Sequence, residues 1–457
     1  MTFFWKERPA RADNLRLLTE RGTWKAWGDS EDPSSVAADP QARGCRATVL
    51  QALQDSLHST NVVILLGSGA SFCAENIDTP GAPGMRDLWF AVKSACENRQ
   101  ADLFDATVKS LVGTIPGEDP EGRPKAGNIE RLLSLCKMRL ELFGVTRDTL
   151  RKERGSAPQS SPEEEEAAQG WTALSDFVEI AEETILKKVG FVGAETRLAA
   201  HTDLLAKFGR RNPEKPRVKI FTTNYDLCIE EAALRLNAVL LDGFSHSARQ
   251  RYNRDNFDHD IVRRRSGTAR ADFIDGVFQL FKLHGSVDWR RSGDEVFRSL
   301  EMDRSRGTPV LIYPRSTKYQ EAFDSPYLDM FAALQAALRE PDTTLLVSGF
   351  GFADDHISQP IWSALQSNLS LNLILCDVAF VPEERLEGEP HEIENDMSRL
   401  NSHQKRILQL ALHADRRVTV LNGRFDDLVA AIPHLEGRTD RQRLEALLTK
   451  VSEAATE

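Results

Sequence analysis

The chain has 457 residues, 41% hydrophobic and 28% charged, the balance of a globular protein with one elaborated domain or about two. Its net charge of −11, from 58 Lys and Arg against 69 Asp and Glu, supplies no global attraction for nucleic acid, so direct nucleic-acid binding is not expected. No run approaches the ~18 apolar residues of a membrane span. Met1 to Arg8 lack the apolar core of a signal peptide, so no membrane partner is expected and the expected compartment is the cytoplasm.

Residues 1–45 are polar, with Trp5, Trp24 and Trp27 among charges. They read as an N-terminal extension, either a docking segment or a stretch anchored on the chain's own core. A helix from about Ala47 to Leu57 leads into Asn61-Val62-Val63-Ile64-Leu65-Leu66, an apolar run of strand length. From about residue 86 to 208 the pattern is mostly helical, as in Ile129–Leu135, and predicts an inserted helical module. A flexible acidic linker is expected within it at 155–170, where Gly155 to Pro162 precede Glu163 to Glu166.

Strands then follow at Val218–Thr222, Ala238–Leu241, Val277–Leu283, Pro309–Tyr313, Thr344–Ser348, Leu371–Leu375 and Val418–Leu421. Helices such as Leu227–Leu236 and Pro326–Leu338 alternate with them. Nearly all-apolar strands alternating with helices predict an α/β fold, a Rossmann-like doubly wound parallel sheet. The main domain is expected over 46–435, with 436–457 as a C-terminal helix or tail. Between strands, Ser245 to Asp272 carries Arg249, Arg251, Arg254, Arg263, Arg264, Arg265 and Arg270, either a solvated insertion or a docking loop for an acidic partner or nucleic acid.

Three strand ends carry the chemistry. The first strand ends in Gly67-Ser68-Gly69-Ala70-Ser71, where two glycines would let backbone amides at a helix start approach a pyrophosphate and Ser71 would add a hydroxyl. The third position of a dinucleotide fingerprint is Phe72, and no acidic strand end follows at the expected distance, which disfavours a hydride-transfer dehydrogenase. Lys219-Ile220-Phe221 runs into Thr222-Thr223-Asn224-Tyr225-Asp226, where Asn224 or Asp226 is also a good helix cap. Phe281-Lys282-Leu283-His284-Gly285-Ser286-Val287-Asp288-Trp289 sets a histidine, a proton carrier near neutral pH, at a strand end. The glycine after it removes a side chain where a ligand could approach.

Taken in this order, the three segments resemble the sirtuin family, and Leu283–Trp289 most resembles the divergent sirtuin-like NAD hydrolases of bacterial antiphage defence. The likeness extends over roughly residues 46 to 430. It implies that Asn224 lies beside the nicotinamide ribose, that Asp226 contacts the carboxamide, and that His284 is the catalytic base. Asn224 and His284 are the expected catalytic pair. Gly67, Ser68, Gly69 and Ser71 are the expected phosphate turn, with Ser68 where the family commonly has alanine. Thr223 stands where the family often has glutamine, which weakens a ribose contact from that position. Leu345 to His356 resembles the family's segment for the adenosine side, making Ser348 and Gly349 candidates there. Asn372 is either a contact of the adenine-side ribose or a polar strand-edge residue. Asp354, Asp355 and His356 read as a helix cap with an acidic first turn rather than a metal trio.

The six cysteines are scattered, with no Cys-x-x-Cys pair, whereas sirtuin deacetylases usually carry a zinc ribbon built from two. No zinc is therefore expected, and deacylation is disfavoured. The resemblance implies that NAD is the substrate, cleaved to nicotinamide and ADP-ribose. It also implies a homo-oligomer or a gating partner such as a HerA-type ATPase, a short Argonaute or a phage protein. The alternatives are a non-catalytic NAD or ADP-ribose sensor, and a zinc-free deacylase or ADP-ribosyltransferase.

Overall fold

The computed structural model describes residues 5, 8–28, 44–76, 81–113, 128–142, 162–264, 271–299, 307–311, 325–413 and 415–434. Its strands are β1 (Arg16–Leu18), β2 (Thr23–Ala26), β3 (Asn61–Leu66), β4 (Val218–Thr222), β5 (Val239–Leu241), β6 (Val262–Arg264), β7 (Ala271–Phe273) and β8 (Val277–Lys282). They continue with β9 (Gly285–Ser292), β10 (Glu295–Arg298), β11 (Thr308–Leu311), β12 (Thr343–Ser348), β13 (Leu371–Cys376), β14 (Glu392–Glu394) and β15 (Val418–Asn422). The main sheet runs β14-β2-β1-β15-β13-β12-β3-β4-β8-β5, and from β15 to β5 every neighbouring pair is parallel.

Alternating residues send apolar side chains to the two faces, because successive side chains of a strand point opposite ways. Val63, Leu65, Leu345 and Val347 join one core. Val62, Ile64, Leu66 and Leu346 join the other. The second core is closed by α1 (Arg46–His58) and, later in the chain, by Leu204, Leu205, Phe208, Ile229 and Leu428. Helices thus cover both faces, as the doubly wound expectation requires.

Between β3 and β4 stand α2 (Met85–Arg99), α3 (Leu103–Val112), α4 (Ile129–Leu142) and α5 (Pro162–Val189). They build a third core of their own around Phe104, Phe177, Val92 and Leu133, which reaches the sheet domain through Tyr225, Val287 and Leu311. The module closes at Val189. The following α6 (Ala199–Phe208) was expected inside it but packs on the sheet instead, because Leu204, Leu205 and Phe208 face Ile220 and Phe278. The remaining helices are α7 (Cys228–Arg235), α8 (Tyr327–Ala337), α9 (Asp355–Ser367), α10 (Glu383–Leu386), α11 (Ser402–Leu412) and α12 (Phe425–Ala431).

Three boundaries differ from expectation. The described part of the first 45 residues is anchored on the chain's own core, the second of the two expected readings, and also joins the sheet: β1 pairs antiparallel with β15, β2 antiparallel with β1, and Trp5, Trp24 and Trp27 are buried. Of the acidic linker, residues 162–170 are helix, the start of α5; residues 155–161 lie outside the described residues. Strand 309–313 proves to be β11, paired with β9 in a separate three-stranded sheet, not a member of the main one. The tail at 436–457, Arg265 and Arg270 lie outside the described residues.

Candidate active site

Strand order reverses between β3 and β12: the chain winds outward through β4 and β8 on one side and through β13 and β15 on the other. At such a reversal the loops leaving the carboxyl ends diverge and open a crevice. The ends are in register, Leu66 beside Ser348 and Thr222, with Lys282 next to Thr222. The loops after β3, β4, β8 and β12 therefore meet. Between them and the entrance to the helical module lies a cleft of about 250 Å³, lined by Ser68, Ser71, Thr223, Asn224, Asp226, His284, Gly349 and Asp354 among others. That is the scale of a small small-molecule site. Met85, Leu88, Phe191 and Phe350 give it an apolar wall suited to a flat ring.

Hydrogen-bond polarity can be worked out from the carboxylates inward, since an ionised carboxylate only accepts. Asp226 Oδ2 accepts from Ser71 Oγ at 2.6 Å, and its Oδ1 accepts from the Cys228 amide at 3.0 Å. Having spent its proton on Asp226, Ser71 Oγ accepts from Asn224 Nδ2 at 2.8 Å. The same Nδ2 also donates to the Gly67 carbonyl at 2.8 Å. Both amide protons of Asn224 are thereby used, and its Oδ1 is left as an acceptor at the cleft.

The second carboxylate does the same for the histidine. Asp354 Oδ2 lies 3.0 Å from His284 Nε2, and both residues are buried. Burial alone would raise the Asp354 carboxyl, but its hydrogen bond to His284 and the amide of His356 hold it below the ordinary value. The ionised carboxylate accepts from Nε2–H, so the neutral tautomer that fits this bond carries its lone pair on Nδ1. Asp354 also caps α9, Oδ1 accepting from the His356 amide at 2.9 Å. The expected capping role is thus half of what it does. The histidine partner was missed, and the available signal was an acidic residue just past a glycine turn at a strand end.

The glycines serve a different purpose from the one expected. Gly67 and Gly69 do not line the cleft; a Cβ on Gly69 would come within 2.6 Å of Gly349 Cα, and one on Gly67 would strike the Gly349 carbonyl. Gly349 itself sits at φ +64°. The two loops are packed backbone on backbone, which only glycine permits. The turn continues as a three-residue 3-10 helix, Ser68–Ala70, so this turn presents no α-helix start to the cleft, and the amides of Gly69, Ala70 and Ser71 bond to Gly349, Gly67 and Ser68 carbonyls. Gly285, likewise, makes room for the Val310 carbonyl at φ +87°, not for a ligand.

Two other expectations are placed differently. Ser348 is 1% exposed behind the cleft wall, and its Oγ has no partner among the described residues. Asn372 is the second residue of β13, paired with Thr344 at the amino ends of the strands and exposed. Four residues separate it from the strand's carboxyl end, about 13 Å, so it does not reach the cleft. It is the polar strand-edge residue. The side chain that does stand at that end is Asp377, buried, its carboxyl raised by burial.

Beneath the site lies a buried charge network. Lys282 donates to the Asp226 main-chain carbonyl and to Glu230 Oε1, the latter at 2.9 Å. Arg298 bridges Asp288 at 2.6 Å and Asp242 at 2.7 Å. These pairs fix the base of the loop carrying Asp226 and of the His284–Trp289 segment. Among the described residues no group of three or more His, Cys, Asp or Glu side chains could hold a metal ion, and no helix is long and apolar enough to cross a membrane.

No curated protein matches the chain. Solved structures similar to it include one described as the structural basis for the mechanism and regulation of Sir2 enzymes, 11% identical, with a TM-score of 0.31, covering 80% of this chain and 98% of that one. Two others are ADP-ribose complexes of a Sir2 homologue, one with a serine-to-alanine and one with a histidine-to-asparagine substitution. Each is 12% identical with a TM-score of 0.31, covering 80% of this chain and 95% and 96% of those. Residues 218–406, which carry Asn224, Asp226, His284 and the Gly349–Asp354 turn, match the model of a SIR2-like domain.

Proposed function

We propose that the protein binds NAD in this cleft and hydrolyses the bond between nicotinamide and ribose, releasing nicotinamide and ADP-ribose. The observation that carries the reading is the pair of acceptors, Asn224 Oδ1 and His284 Nδ1, each fixed in polarity by a buried carboxylate behind it. In this reaction the pyridinium departs as neutral nicotinamide, so no acid is needed at the leaving group. Water adds to C1′ of the ribose and must lose a proton, for which His284 Nδ1 is the base. Asn224 Oδ1 orients that water or a ribose hydroxyl, and positioning with general-base help is what the site supplies. Asp354 stabilises the imidazolium that forms.

The wording of Leu283–Trp289 supports antiphage defence as the setting, with loss of NAD stopping the infected cell. Activity would then be gated by self-association or by a partner such as a HerA-type ATPase or a short Argonaute. The test is a chromatographic time course of NAD with the purified protein, repeated with such partners added, beside Asn224→Ala and His284→Ala. Nicotinamide release by the wild type, reduced at least about 100-fold in both variants, is the expected result. Tight ADP-ribose binding with NAD left intact under every condition would replace the hydrolase with a sensor.

A further inference from the structure

We propose that His201, on α6 behind the cleft, is a positioning residue of this site and acts through one buried water shared with Asp226 and Lys282. The proposal rests on the NAD-cleaving reading above and concerns the same site from its rear. His201 is 1% exposed, its ring 5.1 Å from that of Phe425. Its Nδ1 is buried with no partner among the described residues. A side chain held this deep normally satisfies both nitrogens.

His201 borders a cavity of about 10 Å³, just the space one water needs, together with Ser71, Asn224, Asp226 and Lys282. The donors and acceptors around it match a water. Burial pushes the His201 pKa down to about 4, so at neutral pH the ring is uncharged and Nδ1 accepts. Asp226 has used one lone pair on each oxygen, for Cys228 and Ser71, and can accept once more. Lys282 has used two of its three protons, on the Asp226 carbonyl and Glu230. A water therefore donates to His201 Nδ1 and to the Asp226 carboxylate while accepting from Lys282, the three bonds typical of a buried water. It would hold the carboxylate that orients Ser71, and through Ser71 the amide of Asn224, from a side the substrate never touches.

His201→Phe keeps the ring volume and removes Nδ1; His201→Asn places an amide oxygen or nitrogen close to where Nδ1 stood. The expected result is a fall of about tenfold or more in kcat for His201→Phe with KM for NAD changed less than about threefold, and recovery to within about threefold of wild type in His201→Asn. A high-resolution crystal structure of the wild type should show one ordered water in the cavity, and that of His201→Phe none. Wild-type density without a water would overturn the proposal whether or not the phenylalanine variant folds. So would a folded His201→Phe with wild-type kcat and ADP-ribose affinity. Absence of turnover in the wild type would defeat the hydrolase reading instead, leaving the water and the ADP-ribose affinity of the variants to decide the role of His201.

Discussion

Asp354→Asn separates the two jobs that one side chain does. Its Oδ1 caps α9 through the His356 amide, and its Oδ2 holds the Nε2 proton of His284. Asparagine is as good an N-cap as aspartate, so the helix keeps its cap and the fold is expected to lose less than about 1 kcal/mol. That corresponds to a fall in Tm of roughly 2–4 °C at most. Towards the histidine the change is larger. An amide can donate to Nε2, which moves the ring proton to Nδ1 and removes the base, and it has no charge to stabilise an imidazolium. General-base help is worth about 10² to 10⁴, so kcat should fall by about that factor while KM moves little. Asp354→Ala supplies the contrast: it loses the cap, about 1 kcal/mol, and leaves a buried ring N–H unpaired, a further 1–3 kcal/mol or so, so it should be visibly less stable. The assay is nicotinamide release under whichever conditions activate the wild type, with thermal melting alongside. An Asp354→Asn enzyme retaining more than half of wild-type kcat would refute the tautomer argument.

Ser348→Ala removes a buried hydroxyl that has no partner among the described residues, so the free protein should melt at the wild-type temperature or slightly higher, while ADP-ribose affinity by calorimetry should stay within about twofold because the side chain lies behind the cleft wall; a loss of more than about tenfold would return Ser348 to the binding site. Arg298→Met strips the shared cation from Asp288 and Asp242 and should cost about 3–5 kcal/mol in urea unfolding, because both carboxylates stay buried; a loss under about 1 kcal/mol would show that the network relaxes into water. Acid sensitivity has a worked sign. His201 has a folded pKa lowered from 6.5 to about 4, so as pH falls the unfolded chain takes up the proton first. Its stabilising contribution is full above about pH 6.5 and is lost as pH falls towards about 4, a span worth about 3 kcal/mol. His201→Asn should flatten that limb in unfolding curves at pH 7.5, 6 and 5, and parallel pH profiles would contradict the assignment.

The parallel core was legible because its strands are buried on both faces and carry almost uninterrupted apolar runs; Asn61–Leu66 and Val218–Thr222 match to the residue. The edge was not. Arg16–Leu18 and Thr23–Ala26 are three and four residues long and mix charge with apolar side chains, so no periodicity distinguishes them from loop. The strand Gly285–Ser292 was hidden for the opposite reason: Arg290 and Asp288 are buried in ion pairs and hydrogen bonds, where a polar pattern reads as solvent-facing. At the site, Asn224, Asp226 and His284 each adjoin a strand end along the chain, and the structure brings them to one cleft. His284–Asp354, 70 positions apart, depends on strand order, which a single sequence does not reveal. Asn372 fails on the same ground, since the amino and carboxyl ends of a strand are equally apolar in sequence yet only one faces the crevice.

The central claim is tested most directly by following NAD, nicotinamide and ADP-ribose together by chromatography, with no acceptor peptide present. Stoichiometric appearance of nicotinamide and ADP-ribose as NAD disappears, abolished by His284→Ala, is the predicted result. ADP-ribose bound tightly beside undiminished NAD, or nicotinamide released only when an acyl-lysine peptide is added, would contradict it.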